Sequence, residues 1–134
     1  MIKKLLNDNA KKTDFFLKKY LSKQLYSDLM PPMKYGALSG GKKIRSSVVL
    51  GAGKLFNVSE NKLLNVCAAV ECIHSYSLIH DDLPCMDDDK VRRGKPATHI
   101  KFGESTAILA GNSLLTLAFE MVADRNYKIE NKAK

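Results

Sequence analysis

"SLIHDDLPCMDDDKVRRGKP", residues 77–96, carries the end of an apolar segment into five aspartates within nine positions, with Arg92-Arg93 just beyond. The apolar lead-in predicts a helix. Ser59 reads as its N-cap with Glu60 favourably placed in the first turn, and Leu83-Pro84 stops it near Asp82. Carboxylates at that end sit at the negative pole of the helix dipole, where cations belong. They also repel one another: two like charges ~6 Å apart at an effective dielectric of ~20 cost roughly 3 kcal/mol. A local rule broken this often marks a functional site with compensation from elsewhere. The natural compensator is a hard divalent cation. Magnesium binds through one or two carboxylates and fills its other positions with water and phosphate oxygens. A solvated acidic loop is the plainer alternative; the apolar lead-in and the arginines weigh against it. A calcium EF-hand does not fit, because counting from Asp81 puts Met86 where the loop needs glycine and Arg92 where it needs glutamate. Guanidinium forks beside metal-binding carboxylates suit a metal-bridged diphosphate.

Upstream in the same helix, Glu71, His74, Ser75, Asp81 and Asp82 share one polar stripe on an otherwise apolar cylinder. Such a stripe faces a cavity or a bound group, unless Glu71 and His74 simply hydrogen-bond neighbours in the core.

A second candidate is "GALSGGKK", residues 36–43. It nearly matches the phosphate-binding P-loop, but Lys43 stands where Ser or Thr should hold magnesium, and the lead-in "MPPMKY" is not a strand. The elements still suit an anion. Paired glycines let backbone N–H groups approach it at a helix start, and Lys42 and Arg45, three apart, share the face that follows. Ordinary surface lysines after a turn are the alternative.

The rest of the chain bounds the class. It has 134 residues, 45% of them apolar and 27% charged, which reads as one globular domain. The net charge of +8 suits a polyanionic partner, although much of it is a diffuse lysine face near the N-terminus. No basic patch interleaved with aromatics supports nucleic acid. Cys67, Cys72 and Cys85 are odd in number and unpaired in spacing, against both a disulfide framework and a structural zinc site and in favour of a reduced, cytoplasmic protein. No signal peptide is recognisable, and no apolar run is expected to span a membrane. Leu17, Leu21, Leu25 and Leu29 predict an amphipathic helix ended by Pro31-Pro32; further helices are expected from Gly40-Gly41 to about Phe56, from Ser59 to Asp82 and from Glu104 to Ala123, with a frayed polar tail over 125–134. No stretch alternates convincingly, so the expected fold class is all-α. The segments around Val66 and Leu115 are apolar nearly all round, more than so few helices can bury, so the chain is expected to be the front of a larger bundle or to need a partner.

Taken together these motifs resemble the trans-isoprenyl diphosphate synthases, the bacterial farnesyl diphosphate synthases in particular. "GGKKIR" is similar to the family's GGKRLRP, and "HSYSLIHDDLPCMDDDKVRRGKP" to its first aspartate-rich motif, with two residues inserted between the metal-binding aspartates. The resemblance extends through "HIKFGESTAILAGNSLLTLAF", and so from Gly36 over most of the chain. It implies the N-terminal portion of the all-α isoprenoid synthase bundle, a homodimer in the full-length family. It implies condensation of isopentenyl diphosphate with an allylic diphosphate, dimethylallyl or geranyl. By the same resemblance Asp81 and Asp87 hold Mg2+ with Asp82 in support, Arg92 contacts the allylic diphosphate, and Lys42, Arg45, His74 and Arg93 bind isopentenyl diphosphate. Tyr76, five before the first aspartate, is the position tied to product length, and an aromatic there resembles enzymes that stop at farnesyl. Three departures stand out: Ser46 for the motif's proline, Lys90 for an acidic residue and Asn112 for an aspartate. The family's second aspartate-rich motif does not occur in these residues. The alternative expectation is therefore a truncated, non-catalytic homologue that binds diphosphate or pairs with a complete subunit.

Overall fold

A computed structural model describes residues 1–123; the tail expected to fray, 125–134, lies outside them. The described residues form six helices and one two-stranded hairpin: α1 (Ile2–Lys23), α2 (Met30–Ala37), α3 (Ile44–Leu55), α4 (Glu60–Asp81), β1 (Val91–Arg92), β2 (Lys95–Pro96), α5 (Thr98–Phe102) and α6 (Glu104–Ala123). The all-α expectation holds, and the α3, α4 and α6 boundaries fall within a few residues of those read from the sequence.

Two expectations are corrected at the start of the chain. The stripe on α1 that turns inward is Asn9, Thr13, Leu17 and Leu21; Leu25 lies beyond the helix end, 92% exposed. Nor do Pro31-Pro32 end a helix. They occupy the first turn of α2, where the ring presets the helical φ and the missing N–H has no intrahelical partner to lose. α1 stops instead at Gln24, which is extended.

α4 is the central helix, packed on α6, α3, α1 and α2. Its side toward α6 is made of small residues, Ala68, Ala69 and Cys72, met by Ala107, Ala110 and Ala118. The helices come so close that a Cβ on Gly111 would lie 2.4 Å from Nε2 of His80. Small residues facing one another let backbones approach and leave no void to fill. α3 approaches α4 in the same way, with Gly53 under the Leu63 side chain.

α4 is well covered, but α6 is not: Ile108, Leu109, Phe119 and Val122 remain 40–62% exposed. That is the surplus of apolar surface anticipated from the sequence. α6 is long and apolar enough by composition to cross a membrane, although a core helix meets the same test and α6 buries Ala110, Leu114 and Met121 in the bundle. α5 and the hairpin were not anticipated; both lie in the stretch read as loop.

Candidate functional site

The aspartates sit where α4 ends. Asp82 is the C-cap, and the chain then folds back so that the Asp87 N–H donates to the Asp81 carbonyl at 2.8 Å. That bond brings the two residues expected to hold metal to one side of the turn. Among the described residues Asp81, Asp87, Asp88 and Asp89 make no ion pair, and only the field of nearby Arg92 offsets the repulsion at Asp81 and Asp89. Asp88 has φ +51, a left-handed conformation that aspartate tolerates better than most residues. The described residues hold no cluster of three or more metal-ligating side chains. A hard divalent ion that takes one or two carboxylates and fills its shell with water and phosphate oxygens needs no larger donor set.

Asp82 differs from its neighbours. It is 2% exposed and faces inward, where Arg92 clamps it: Nε donates to Oδ1 at 3.0 Å and to Oδ2 at 2.8 Å, and Nη2 donates to Oδ1 at 2.7 Å. Asp82 thus supports the site by anchoring an arginine rather than by reaching a metal. The hydrogen bonds to Asp82 raise the Arg92 pKa above its ordinary value, against the opposing effect of burial, with Asp89 and Asp81 adding to the rise. Nη1 and one Nη2 donor of Arg92 remain for an outside oxygen.

The hairpin separates the two arginines. Arg92 pairs with Lys95 across the ladder, leaving Arg93 and Gly94 as a two-residue turn with φ +52 and +74. Positive φ at both positions is the type I′ geometry that matches the twist of the strands. Arg92 therefore turns back to Asp82 at the end of α4, while Arg93 reaches the Ser39–Gly40 turn and borders the α4 residues Glu71 and His74. Its Nη1 donates to the Gly40 carbonyl and, at 3.2 Å, to Ser39 Oγ. Gly41 is required beneath it, since φ is +106 and an added Cβ would lie 2.8 Å from the guanidinium.

Arg93 closes one side of a second recess. A cavity of about 310 Å³ is lined by Gly41, Lys42, Lys43, Arg45, His74 and Arg93, with Glu71 at its base. All four residues assigned by resemblance to isopentenyl diphosphate (Lys42, Arg45, His74 and Arg93) meet here. His74 is half-buried, and burial pushes its imidazole below the ordinary histidine pKa; Arg45, Arg93 and Lys43 push the same way against Glu71. The cleft thus disfavours the imidazolium, and an anion entering it would favour it.

One N–H at the helix start turns away from this cleft. Ser46 N–H in the first turn of α3 donates inward to Glu71 Oε1 at 3.3 Å, and Ser46 Oγ donates to the same oxygen at 2.9 Å. The serine that replaces the motif's proline therefore uses an N–H that proline lacks. Glu71 is a buried core partner, as its plainer reading had it. Lys43, read only as a mismatch to the P-loop, is a buried cation: its side chain is 3% exposed, 3.6 Å from Glu71 Oε2 and 3.4 Å from Asp14 Oδ1, and it donates to the Ala37 carbonyl at 3.0 Å. Asp14 had only a weak signal in the sequence, as one of two acids, with Asp8, on a lysine-rich helix. Lys43 had none, because its direction depends on a backbone at φ +46.

Tyr76 lies half-buried one turn before the aspartates, its ring edge-on to His80 with centroids 4.7 Å apart, and packs against the main core.

The family model for polyprenyl synthetase matches residues 27–133. Farnesyl diphosphate synthase of Escherichia coli (strain K12) is 61% identical over 92 residues, which cover 69% of this chain and 31% of that protein. Farnesyl diphosphate synthase of Buchnera aphidicola subsp. Acyrthosiphon pisum (strain APS) is 51% identical over 98 residues, 73% of this chain and 35% of that protein. Among solved structures, a geranyltransferase from Legionella pneumophila superposes with a TM-score of 0.87 at 39% identity, covering 92% of this chain and 43% of that one. The chain thus spans about a third of the length of these curated relatives.

Proposed function

The chain belongs to the polyprenyl synthetase family, and from that premise we propose that it carries two diphosphate-binding faces of a prenyltransferase. The reaction joins isopentenyl diphosphate to an allylic diphosphate, dimethylallyl or geranyl, to give farnesyl diphosphate. Asp81 and Asp87 hold magnesium at the end of α4. The chemistry that ion supplies when bound is neutralisation of the diphosphate oxygens as the carbon–oxygen bond breaks. Arg92, fixed by Asp82, turns its remaining donors to the allylic diphosphate. Lys42, Arg45, His74 and Arg93 hold isopentenyl diphosphate in the cationic cleft. Tyr76 closes the prenyl cavity, because a packed wall accepts little extra volume.

The observation that carries this reading is the convergence of Lys42, Arg45, His74 and Arg93 on one cleft. The test is incorporation of labelled isopentenyl diphosphate with geranyl diphosphate and magnesium. Product that disappears in Asp81→Asn supports the assignment. The exposed apolar side chains of α6, Ile108, Leu109, Phe119 and Val122, favour a second reading, a binding or partner subunit completed by another chain. That reading expects no product from this chain alone at any magnesium concentration, and product on mixing with a chain that carries the second aspartate motif. Absence of product in both arms, together with absence of pyrophosphate binding, would overturn both readings.

A further inference from the structure

We propose that Lys43 is a positioning residue for the cationic cleft: its buried ammonium fixes the turn that aims Lys42 and Arg45. The inference rests on the reading of that cleft as a diphosphate site. Gly40 and Gly41, at φ +86 and +106, give the turn freedom and no side chains to hold it. Restraint comes from the next residues, alternately. Lys43 and Ser46 are buried, both 6% exposed or less, with Lys43 also bordering the cleft from beneath, while Lys42 and Arg45, each just before one of them, are exposed and line it.

The buried pair is tied to three helices. Lys43 Nζ donates to Ala37 O at the end of α2, lies 3.4 Å from Asp14 on α1, and lies 3.6 Å from Glu71 on α4. Glu71 in turn receives both donors of Ser46. Lys43 is also the N-cap of α3 at φ +46, a conformation costly for a residue with a Cβ and held here by what its side chain grips. Without that grip the turn can relax, and the two outward cations lose their common aim.

A lysine that only balanced Glu71 would have no such effect, and a charge-neutral variant separates the cases. Lys43→Met combined with Glu71→Gln removes one charge of each sign, and the Gln oxygen still accepts from Ser46. Binding of inorganic pyrophosphate to the 134-residue chain is measured by calorimetry at fixed low salt, alongside thermal melting. The expected result is a double variant that melts close to the parent yet binds about tenfold more weakly, the scale for members of one buried network. Lys43→Arg, which keeps the charge, is expected to bind within about twofold of the parent. Asp14→Asn, at the partly exposed anchor, is the milder second variant, with a loss of about threefold expected. Parent-like affinity in both weakened variants overturns the positioning role and leaves the diphosphate cleft standing. A parent chain that takes up no pyrophosphate overturns the cleft reading, and this inference with it.

Discussion

Replacing Asp82 by asparagine tests whether the end of α4 is held as the geometry implies. Asp82 is 2% exposed and the Arg92 side chain 30%. With charge centres about 4 Å apart and an effective dielectric of about 20, the pair is worth about 4 kcal/mol. Solvent reaching the open third of Arg92 screens this to about 3 kcal/mol. Asparagine keeps one acceptor for Nε, which returns about 1 kcal/mol. The expected loss is therefore about 2 kcal/mol, or a fall in Tm of about 6–8 °C for a domain of this size. Urea unfolding followed by circular dichroism, on Asp82→Asn, Arg92→Met and the double variant, isolates the pair by its coupling energy. A coupling of about 2 kcal/mol is expected. A value below about 0.5 kcal/mol would refute the reasoning, since a surface-like pair would then occupy a place the structure shows to be buried. The same variant should weaken magnesium-dependent pyrophosphate binding, because Arg92 loses the fork that holds its free donors outward.

Three further outcomes follow from individual contacts. Gly111→Ala drives a Cβ into the His80 ring and against its bond to the Ile108 carbonyl; after the gain in helix propensity, a net loss of about 1–2 kcal/mol in thermal unfolding is expected. His74 has a folded pKa below its unfolded value of 6.5, so it binds fewer protons folded than unfolded. Its contribution to stability is full above that value and is lost as pH falls through the folded pKa. Pyrophosphate in the cleft should move the imidazole pKa upward in an NMR titration, and a downward or absent shift would place the anion elsewhere. Native thiol labelling should modify Cys85 alone, because Cys67 and Cys72 are buried with pKa values pushed up to about 11 and about 12, and full labelling should wait for denaturant.

The helices α3, α4 and α6 were legible because each carries a long apolar pattern with a clear start or stop. The hairpin was not, because a two-residue ladder has no room for the alternation that reveals a strand; the only cue was a glycine two residues before Pro96, in "RRGKP". α1 misled in its register. Leucines four apart continue past Lys23, whereas the buried stripe runs backward from Leu21 through polar Thr13 and Asn9. Pro31-Pro32 misled because proline stops one helix and starts the next with the same chemistry. Within the site, the outward-facing cations were readable from charge and spacing. The inward-facing members were not: a buried lysine and a surface lysine are the same letter, and only the left-handed turn at Lys43 distinguishes them.

The separation of charge explains why so basic a chain crowds its aspartates. An unpartnered Arg92-Arg93 could have neutralised the acidic turn outright and left nothing for a ligand to do. The type I′ turn limits this by giving the two guanidiniums different partners, Asp82 for Arg92 and the Ser39–Gly40 turn for Arg93. Arg92 is spent on Asp82, the one aspartate that is buried, and leaves Asp81, Asp87, Asp88 and Asp89 without ion pairs. Arg93 is carried across to a cleft that already holds Lys42 and Arg45, while Lys43 and Glu71 satisfy each other beneath it. An acidic turn and a basic cleft thereby remain as separate groups with different partners. The acidic one calls for a cation and the basic one for an anion, which is the electrostatic requirement for holding a metal-bound diphosphate beside a metal-free one.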